Sequence, residues 1–473
     1  METKELNFNL STAKEDLTKR FEASFDIKVE TVNTQKGEII LFYVDGTISR
    51  DLLHRDVLTP FKNPDFDGDI IKHMHCSHII PKDQQEFENF VFNGHLGVIF
   101  EEKMYIGDIK GQERRGIQAP DAENVTRGPK DAFVEDLVIN TSLVRRRIKT
   151  PDLVLKRISL GHQTATGIII AYIDGIVNKE VLEKVEHRLK QIEIDAVLET
   201  GVIEQLIEKK NLTPLSGVGM TQKPDIACKR ILEGRVAIFV DGTPHVLTIP
   251  ELFIENLQSP EDYSNRTLLS SMFRFLRFVA LFITVMLPGL AVAIVCFHRE
   301  MIPSGLFETI MANSANTPLP FALEILFTLI IVELLKESGV RLPRGIGMAV
   351  AMIGGLLVGE AAMISGIIGA PSIMLLGLTT VCSFIVFSLH EFATIYRYIF
   401  LALGSLFGLI GIGAGILVMF AGLAAINPFG VRILTLFDDK VMYKDSLVRF
   451  PLRRLDTRPK CIAKENVKRL ENG

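Results

Sequence analysis

The chain has 473 residues, of which 48% are hydrophobic and 23% charged, and its formal net charge at pH 7 is -4. This length exceeds one ordinary domain, and the small negative charge gives no reason to expect a nucleic-acid partner. Nearly all long uncharged stretches lie after Phe278. We therefore expect a multi-domain protein, in which a soluble N-terminal α/β region of two lobes is followed by an all-α polytopic membrane domain.

The cysteines and the first residues indicate where the soluble region lies. None of the five cysteines forms a CxxC pair, so we expect reduced thiols rather than a disulfide framework. The first ten residues are polar and lack the apolar core of a secretory signal. We therefore expect the soluble region to stay in the cytosol.

Three segments of the soluble region share one pattern, a β-branched or aromatic run that ends in Asp-Gly. They are residues 39–46, 168–175 and 236–242. Each predicts a buried strand and a tight turn, because Asp can bond nearby backbone and Gly accepts positive φ. The less favoured alternative is that each Asp binds a ligand or metal. Helical spacing follows the first two segments, which suggests two related lobes, residues 1–130 and 131–265.

The sequence gives little support for metal binding or catalysis. Residues 73–78, His-Met-His-Cys-Ser-His, include good ligands for zinc or copper, but adjacent ligands alone do not close a tetrahedral site. The sequence has no Walker-type phosphate loop, GxSxG motif or HExxH motif. We expect no metal, no cofactor and no enzymatic activity.

The first membrane segment is predicted at residues 278–297, where twenty residues carry no charge. That length crosses a hydrocarbon core of ~30 Å, and Pro288 should kink the helix. Three arginines precede it: Arg266, Arg274 and Arg277. By the positive-inside rule they place this end of the helix in the cytosol.

Four more apolar stretches follow within a helical domain that we place at residues 266–431, with four to five membrane segments. They are residues 319–335, 346–368, 371–389 and 398–426. The tail, residues 432–473, is basic and should also be cytosolic, which requires an even number of crossings. The last stretch is long for one span, but we expect the short, acidic stretch at 319–335 to be the irregular one.

Ionisable residues at membrane depth are the candidates for pore or gating residues. Pro318 and Pro320 open the acidic stretch, Glu324 and Glu333 lie within it, and Glu360 lies in the next helix. A charge there is costly, so it indicates function by default. The alternative for Glu324 and Glu360 is a protonated or hydrogen-bonded packing residue.

Helical spacing gives the two acids of the first stretch different roles. Thr317, Glu324 and Thr328 share one face, a polar stripe that we expect to line a pore or cavity. Glu333 lies on the opposite side and can pair with Lys336 one turn on. We expect Glu333 to be structural, near the membrane interface.

Small residues predict close packing of the later helices. On ideal continuous helices they form two stripes: Gly355, Gly359 and Gly366, and Gly404, Gly408, Gly411 and Gly415. Small residues let helix backbones approach closely in lipid. Bundling within the chain and oligomerisation both fit this pattern.

Several motifs together resemble one known family. Residues 316–320 are Asn-Thr-Pro-Leu-Pro, Glu324 follows, and residues 333–343 are Glu-Leu-Leu-Lys-Glu-Ser-Gly-Val-Arg-Leu-Pro. The motif residues are Asp174, Gly175, Asp241, Gly242, Arg341, Leu342 and Pro343. In their order and spacing these motifs resemble GerA-type spore germinant receptor A subunits, over residues 136–459.

That resemblance implies a receptor subunit in the inner membrane of bacterial spores, with its N-terminal region on the core (cytosolic) side. It implies B and C partner subunits, the B subunit being an integral, transporter-like protein that senses the nutrient and the C subunit a lipoprotein. It also implies a homo-oligomer in membrane lipid that forms a ligand-gated ion channel. On this hypothesis nutrient binding shifts the population toward an open arrangement of helices around Glu324.

Two other functions stay open at this point. A secondary transporter would also use interrupted helices and intramembrane acids, but it predicts two halves with matching hydropathy, and the sequence has no such repeat. A membrane-anchored scaffold that does not conduct predicts that neutralising Glu324 changes stability alone.

Overall fold

A computed structural model describes residues 10–101, 103–111, 123, 127–208, 214–315, 317–341, 344–434, 445–455, 457–464 and 466–469. Two sheet-containing lobes come first, and a helical domain follows them. The motif residues Leu342 and Pro343 lie outside the described residues, as does Asn316.

Lobe 1 is built on a five-stranded antiparallel sheet with the strand order β1-β2-β4-β5-β3. Its strands are β1 (Ile27–Thr34), β2 (Gly37–Val44), β3 (His78–Ile79), β4 (Leu96–Phe100) and β5 (Lys103–Gly107). Its helices are α1 (Leu10–Phe21), α2 (Arg50–Leu52), which continues through a π-helical turn into α3 (Thr59–Lys62), α4 (Ile70–His73) and α5 (Gln84–Phe92). Strand β2 is the predicted buried strand, and its last six residues are all buried.

Lobe 2 has a second five-stranded antiparallel sheet, in the order β6-β7-β9-β10-β8. The strands are β6 (Leu153–Leu160), β7 (Thr166–Ile173), β8 (Gly219–Thr221), β9 (Val236–Val240) and β10 (Val246–Ile249). The helices are α6 (Leu137–Arg145), α7 (Lys179–Lys190), α8 (Thr200–Ile207), α9 (Pro224–Leu232) and the short α10 (Glu261–Ser264). Numbered within each lobe, both sheets have the order 1-2-4-5-3, so the lobes repeat one topology.

The Asp-Gly segments form turns, as the sequence predicts. All three glycines have a positive φ: Gly46 at 81°, Gly175 at 78° and Gly242 at 84°. In the first two turns the Asp carboxylate accepts a hydrogen bond from the N–H of the following Gly. Turn geometry therefore explains Asp45 and Asp174, whereas in the third turn the Gly242 N–H donates to the Glu135 carbonyl oxygen.

The helical domain begins with one long helix that leaves lobe 2. Its helices are α11 (Thr267–Phe297), α12 (Ser304–Ser314), α13 (Phe321–Arg341), α14 (Arg344–Ile364), α15 (Ala370–Ile385) and α16 (His390–Ala425). In the described part of the chain, the stretches Thr267–Phe297 and Phe387–Ala425 are each long and apolar enough to cross a membrane.

Helix α16 consists of two limbs that fold back on each other at Gly408. That residue has φ 61° and ψ -144°, outside helical geometry. A Cβ built on Gly415 would lie 2.9 Å from the Phe400 ring, and one on Gly411 would lie 2.4 Å from the Leu403 carbonyl oxygen. Residues fifteen apart on a straight helix are about 22 Å apart, so the chain must reverse here.

This reversal corrects the expectation of one glycine stripe on a continuous helix. Gly411 and Gly415 face the first limb of the hairpin, whereas Gly404 and Gly408 face α11. The long last stretch is therefore a helical hairpin. Over the acidic stretch, α13 is an uninterrupted helix of 21 residues.

Both ends of the helical domain lie against lobe 2. The ring of Phe253 in lobe 2 meets Phe392 in the first turn of α16, with 5.8 Å between ring centroids. Gly408 lies against Phe297 at the far end of α11, so α11 and the first limb both run away from lobe 2. The second limb returns, since Phe429 just beyond it is buried in the core of lobe 2.

The helices between α11 and α16 run alternately toward and away from lobe 2. Ile325 near the start of α13 packs on Val292 in the far half of α11, whereas Glu333 further along binds Arg397. Helix α13 therefore runs toward lobe 2. Helix α15 runs beside it in the same direction, because hydrogen bonds join their first and last turns. Helix α14 connects them in the opposite direction.

The segment after α16 is part of lobe 2. Residues 445–469 run back over it where they are described, and the side chains of Ile462 and Ala463 are fully buried there. Ile462 belongs to the same apolar cluster as Phe429 and the strands β7 and β9. The last segment thus closes the core of lobe 2.

Candidate functional site

Glu324 joins α13 to the beginning of α15. Its Oε1 accepts a hydrogen bond of 2.6 Å from the N–H of Gly369, the residue that precedes α15. The side chain is 1% exposed, and the Thr328 hydroxyl donates to the Glu324 carbonyl oxygen at 2.8 Å. A carboxylate at this position also faces the positive end of the α15 helix dipole. In the single chain Glu324 is therefore a hydrogen-bonded packing residue.

The residues before α13 do not extend that polar face. Thr317 is half-buried, and Pro318 and Pro320 are exposed, but all three precede the first residue of the helix. Helical spacing therefore does not apply to Thr317. The predicted stripe reduces to Glu324 and Thr328, which are both buried.

A buried charge cluster joins α13, α15 and α16. Arg397 is fully buried and donates to Glu333, and the Lys336 Nζ lies 3.5 Å from the same carboxylate oxygen. Lys336 also donates to the Ser383 hydroxyl at 3.3 Å. The pairing of Glu333 with Lys336 is as predicted from their spacing. Two cations share one carboxylate here, so the cluster carries a net positive charge.

Arg397 is the member of this cluster that sequence reasoning missed. It lies one residue before the predicted span at 398–426, so the hydropathy pattern leaves it out. Its Nε and Nη1 are buried and have no hydrogen-bond partner among the described residues. The sequence does contain a signal for this residue, because an arginine directly beside an apolar stretch needs an acidic or polar partner.

Glu360 lies on the outer side of α14. Its side chain is exposed, as are the neighbouring Leu356 and Leu357. On the other side of the helix, Gly354 and Gly355 approach Leu335 of α13. A Cβ built on Gly359 would meet nothing within 4 Å, so this part of α14 presents a carboxylate and open backbone together.

The remaining candidate glycines differ in environment. Gly366 lies in the turn after α14, and Gly355 faces α13. The tightest contact is between α11 and α16, where a Cβ on Gly289 would lie 2.4 Å from the Phe400 carbonyl oxygen and one on Gly404 would lie 2.3 Å from the Gly289 carbonyl oxygen. No larger residue fits at this crossing, as expected for helices that pack backbone to backbone.

A second charge network holds the first turns of α11 against lobe 2. Arg274 is fully buried, with its Nε 3.0 Å from an Asp262 oxygen and its Nη1 2.8 Å from an Asp445 oxygen. Arg277 also binds Asp262, at 2.8 Å. The Tyr263 hydroxyl donates to Asp445 at 2.8 Å, and burial raises the pKa of Tyr263 well above its ordinary value. Two of the three arginines predicted as topology signals, Arg274 and Arg277, are thus bound to acids of lobe 2 and of the last segment.

This network continues into lobe 2. Arg230 binds Glu251 and Glu255, and Arg235, which is fully buried, binds Glu255 and Glu233. Burial alone would raise the pKa of Glu255, but the two guanidinium groups outweigh it and hold that pKa at about 2. The acid is therefore ionised at neutral pH and locks strand β9 to the segment that leads into α11.

A cavity of about 200 Å³ lies beside these charges. Asp225, Lys229, Gln258 and Tyr263 are among the residues that line it. The Lys229 Nζ lies 3.5 Å from the centroid of the Tyr263 ring, a cation–π contact. Burial lowers the pKa of Lys229 from its ordinary value.

The remaining motif residues lie on the surface. Arg341 is exposed and pairs with Glu337 at 2.6 Å, and Asp174 and Asp241 are exposed in their turns. In the histidine-rich tract, the His73 Nε2 lies 3.1 Å from Asp67. Burial raises the pKa of the Cys76 thiol to about 11, so it stays protonated at neutral pH. Within the described ranges no three His, Cys, Asp or Glu side chains converge on one point.

Comparison with known proteins identifies the family. The sequence model of the Bacillus/Clostridium GerA spore germination protein matches residues 15–461. The chain belongs to the GerA family of spore germination proteins. Spore germination protein KA of Bacillus subtilis (strain 168) is 34% identical over 447 residues, which cover 90% of this chain and 81% of that protein.

A second GerA relative and one solved structure are also similar. Spore germination protein B1 of Bacillus subtilis (strain 168) is 31% identical over 475 residues, covering 96% of each chain. The crystal structure of the N-terminal domain of the A subunit of the Bacillus megaterium spore germinant receptor GerK3 is 28% identical, with a TM-score of 0.41. It covers 52% of this GerA chain and 95% of that domain.

Proposed function

We propose that this GerA family member is the A subunit of a nutrient germinant receptor in the spore inner membrane. In this proposal several copies form a ligand-gated ion channel, and integral B and lipoprotein C subunits act with them. The B subunit binds the nutrient, and the chain itself has no catalytic activity. The observation that carries the proposal is the exposed carboxylate of Glu360 on an apolar helix.

The direction of the helices supports a membrane domain with six crossings. Helix α11, α13, α14, α15 and the two limbs of α16 alternate in direction, and both ends of the domain lie against lobe 2. The limbs of α16 are each about 26 Å long, close to the ~30 Å of a hydrocarbon core. An even number of crossings keeps lobe 2 and the last segment on the same, cytosolic side.

Glu360 is the group that requires an assembly. An ionised carboxylate cannot face lipid tails without a large cost in free energy. In the chain this carboxylate is exposed, and α14 packs on α13 with its opposite side. A ring of copies that turns α14 toward a central water path would hydrate this carboxylate and attract cations to the pore.

We place the gate of the channel at the contacts that hold the two ends of the α13–α15 pair together. Glu324 holds one end through Gly369, and the cluster of Glu333, Lys336 and Arg397 holds the other. Helix α13 lies between α15 and the pore helix α14. Nutrient binding on the B subunit opens the channel if it favours an arrangement in which one of these fastenings is released.

The test is potassium release from spores after nutrient addition. We would compare wild type, Glu360→Gln and Glu360→Ala, with Glu308→Gln as an exposed-acid control on α12, at equal protein abundance. Both Glu360 variants should lower the rate of release at least about tenfold, and Glu308→Gln should not. Normal release from both Glu360 variants would overturn the placing of α14 at the pore.

A secondary transporter is the second candidate function, because the break at Gly408 gives α16 the discontinuous form that transporters use at substrate sites. The two functions differ in flux. A channel passes potassium down its gradient in reconstituted vesicles at a rate that does not saturate with a co-substrate. Uptake that requires a second solute or ion would favour the transporter.

A further inference from the structure

The first turns of α11 expose an apolar face outside the bundle. Leu268 is 85% exposed and Met272 58%, and Phe275, Val279 and Phe282 are also exposed. The five residues are spaced by four, three, four and three positions, which is the heptad spacing of a coiled-coil seam. Three more exposed apolar side chains flank them: Leu269, Phe273 and Leu276. The outward face of these turns carries no charge.

The other face of the same turns is surrounded by charge. Ser271, Arg274 and Arg277 point toward lobe 2 and the last segment, where they meet Asp262, Asp445 and the backbone of Arg449. Four charged groups, Arg274, Arg277, Asp262 and Asp445, place these turns outside the hydrocarbon core. The membrane segment of α11 accordingly begins near Phe278.

Lipid does not reach the beginning of this face. Met272 and Leu268 lie six and ten residues before Phe278, or about 9 and 15 Å along the helix. The headgroup layer adds only about 5–8 Å on each side of the core. These side chains therefore stand in water in the isolated chain, and a face of this size marks a protein contact.

The last segment also exposes apolar side chains beside α11. The Arg449 N–H donates to the Ser271 hydroxyl at 3.1 Å, which fixes this segment beside α11. The preceding Leu447 and Val448 are 41% and 52% exposed.

We propose that the seam formed by Leu268, Met272, Phe275, Val279 and Phe282 docks a membrane helix of the integral B subunit. Heptad spacing requires a helical partner. Because the seam begins outside the bilayer, the apolar stripe of that partner helix must continue two to three turns beyond the bilayer. The choice of the B subunit over a second copy rests on the proposed function. Helix α14 packs on α13, and α11 on α15 and α16, so a ring with α14 at its axis places the seam at its rim.

Site-specific photocrosslinking in intact membranes tests this proposal. We would place benzoylphenylalanine at Met272 in a chain expressed with tagged B and C subunits and with a second, differently tagged copy of itself. The matched control carries it at Leu198, an exposed leucine of lobe 2. We expect an adduct that carries the B tag from position 272 and none from position 198. An adduct with the second copy, with the C subunit or with lipid alone would overturn the proposal.

A second variant checks that the seam, and not mere proximity, makes the contact. Met272→Glu, combined with the probe at Phe275, should reduce the B adduct at least about tenfold, whereas Leu198→Glu should leave it unchanged. Equal adduct yields from both would also overturn the proposal. The chain's elution volume in detergent shows whether each variant is folded. The experiment uses nutrient-free membranes, so it gives the same answer whether or not α14 conducts ions.

Discussion

Replacing Glu324 distinguishes a carboxylate that fastens the closed bundle from one that lines the ion path. In Glu324→Ala, the buried N–H of Gly369 loses the acceptor that lies 2.6 Å away. An unsatisfied buried donor costs about 1–3 kcal/mol. The first turn of α15 also loses a facing negative charge, which is worth about 0.3–1 kcal/mol. The alanine variant should therefore weaken this contact by about 1.3–4 kcal/mol.

Glu324→Gln separates the two contributions, because the amide oxygen still accepts the hydrogen bond and only the charge is lost. Its cost should be about 1 kcal/mol or less. If the contact exists only in the closed state, these energies shift the equilibrium toward the open state. Every 1.4 kcal/mol is a factor of ten, so the alanine variant should open at least about tenfold more often.

The assay is potassium release from dormant spores before any nutrient is added. We expect the rate to rise in the order wild type, Glu324→Gln, Glu324→Ala, with protein abundance matched by immunoblot. Glu308→Ala, an exposed acid on α12, is the control and should behave as wild type. The reasoning is refuted if neither variant leaks and both lose nutrient-triggered release equally, because that result assigns the carboxylate to the ion path.

Three further predictions concern stability, measured on the full chain in detergent. Gly408→Leu should lower the free energy of unfolding by about 1–3 kcal/mol, because the backbone φ is 61° at that position. The control Gly413→Leu places a side chain in open space and should have little effect. Equal melting temperatures of the two variants would contradict the reversal at Gly408. Glu333→Leu alone should lower the free energy of unfolding by about 3–5 kcal/mol, because it leaves the buried charge of Arg397 without its acidic partner. The double variant Glu333→Leu, Arg397→Leu should lose much less. Additive losses would contradict this. The pKa of Glu255 falls to about 2 in the folded state, so its contribution to folding stability is present above pH 4.5 and is lost as the pH falls toward 2. In Glu255→Gln this contribution is absent. Far-UV circular dichroism measured against pH should then show a flatter acid transition.

The sequence predicts the features whose cause is local. Strand β2, β7 and β9 follow from β-branched runs that end in Asp-Gly, and the pairing of Glu333 with Lys336 follows from one helical turn. The recurrence of such a run before a helical pattern indicates two related lobes, but the strand order that they share is not predicted. Each of these signals lies within about a dozen neighbouring residues, which is the range over which periodicity carries information.

The features that sequence reasoning misses depend on distant partners. Arg274 bonds to Asp445, 171 positions away, and nothing in the spacing of either residue indicates the other. The break at Gly408 is also hidden, because a glycine that reverses the chain and a glycine that packs helices have the same local pattern. Glu324 lies on the predicted helix, but its partner is a backbone N–H, which every residue except proline carries.

The burial of Ile462 inside lobe 2 has a consequence for the order of biosynthesis. The ribosome completes the strands of lobe 2 more than 200 residues before it makes the segment that closes their core. The core of lobe 2 therefore stays open while the helices after it are made. In the proposed six-crossing topology, it acquires its final packing only when the second limb of α16 has returned to the same side of the membrane. A chain whose last limb fails to return is left with an incomplete lobe, which quality-control proteases can recognise.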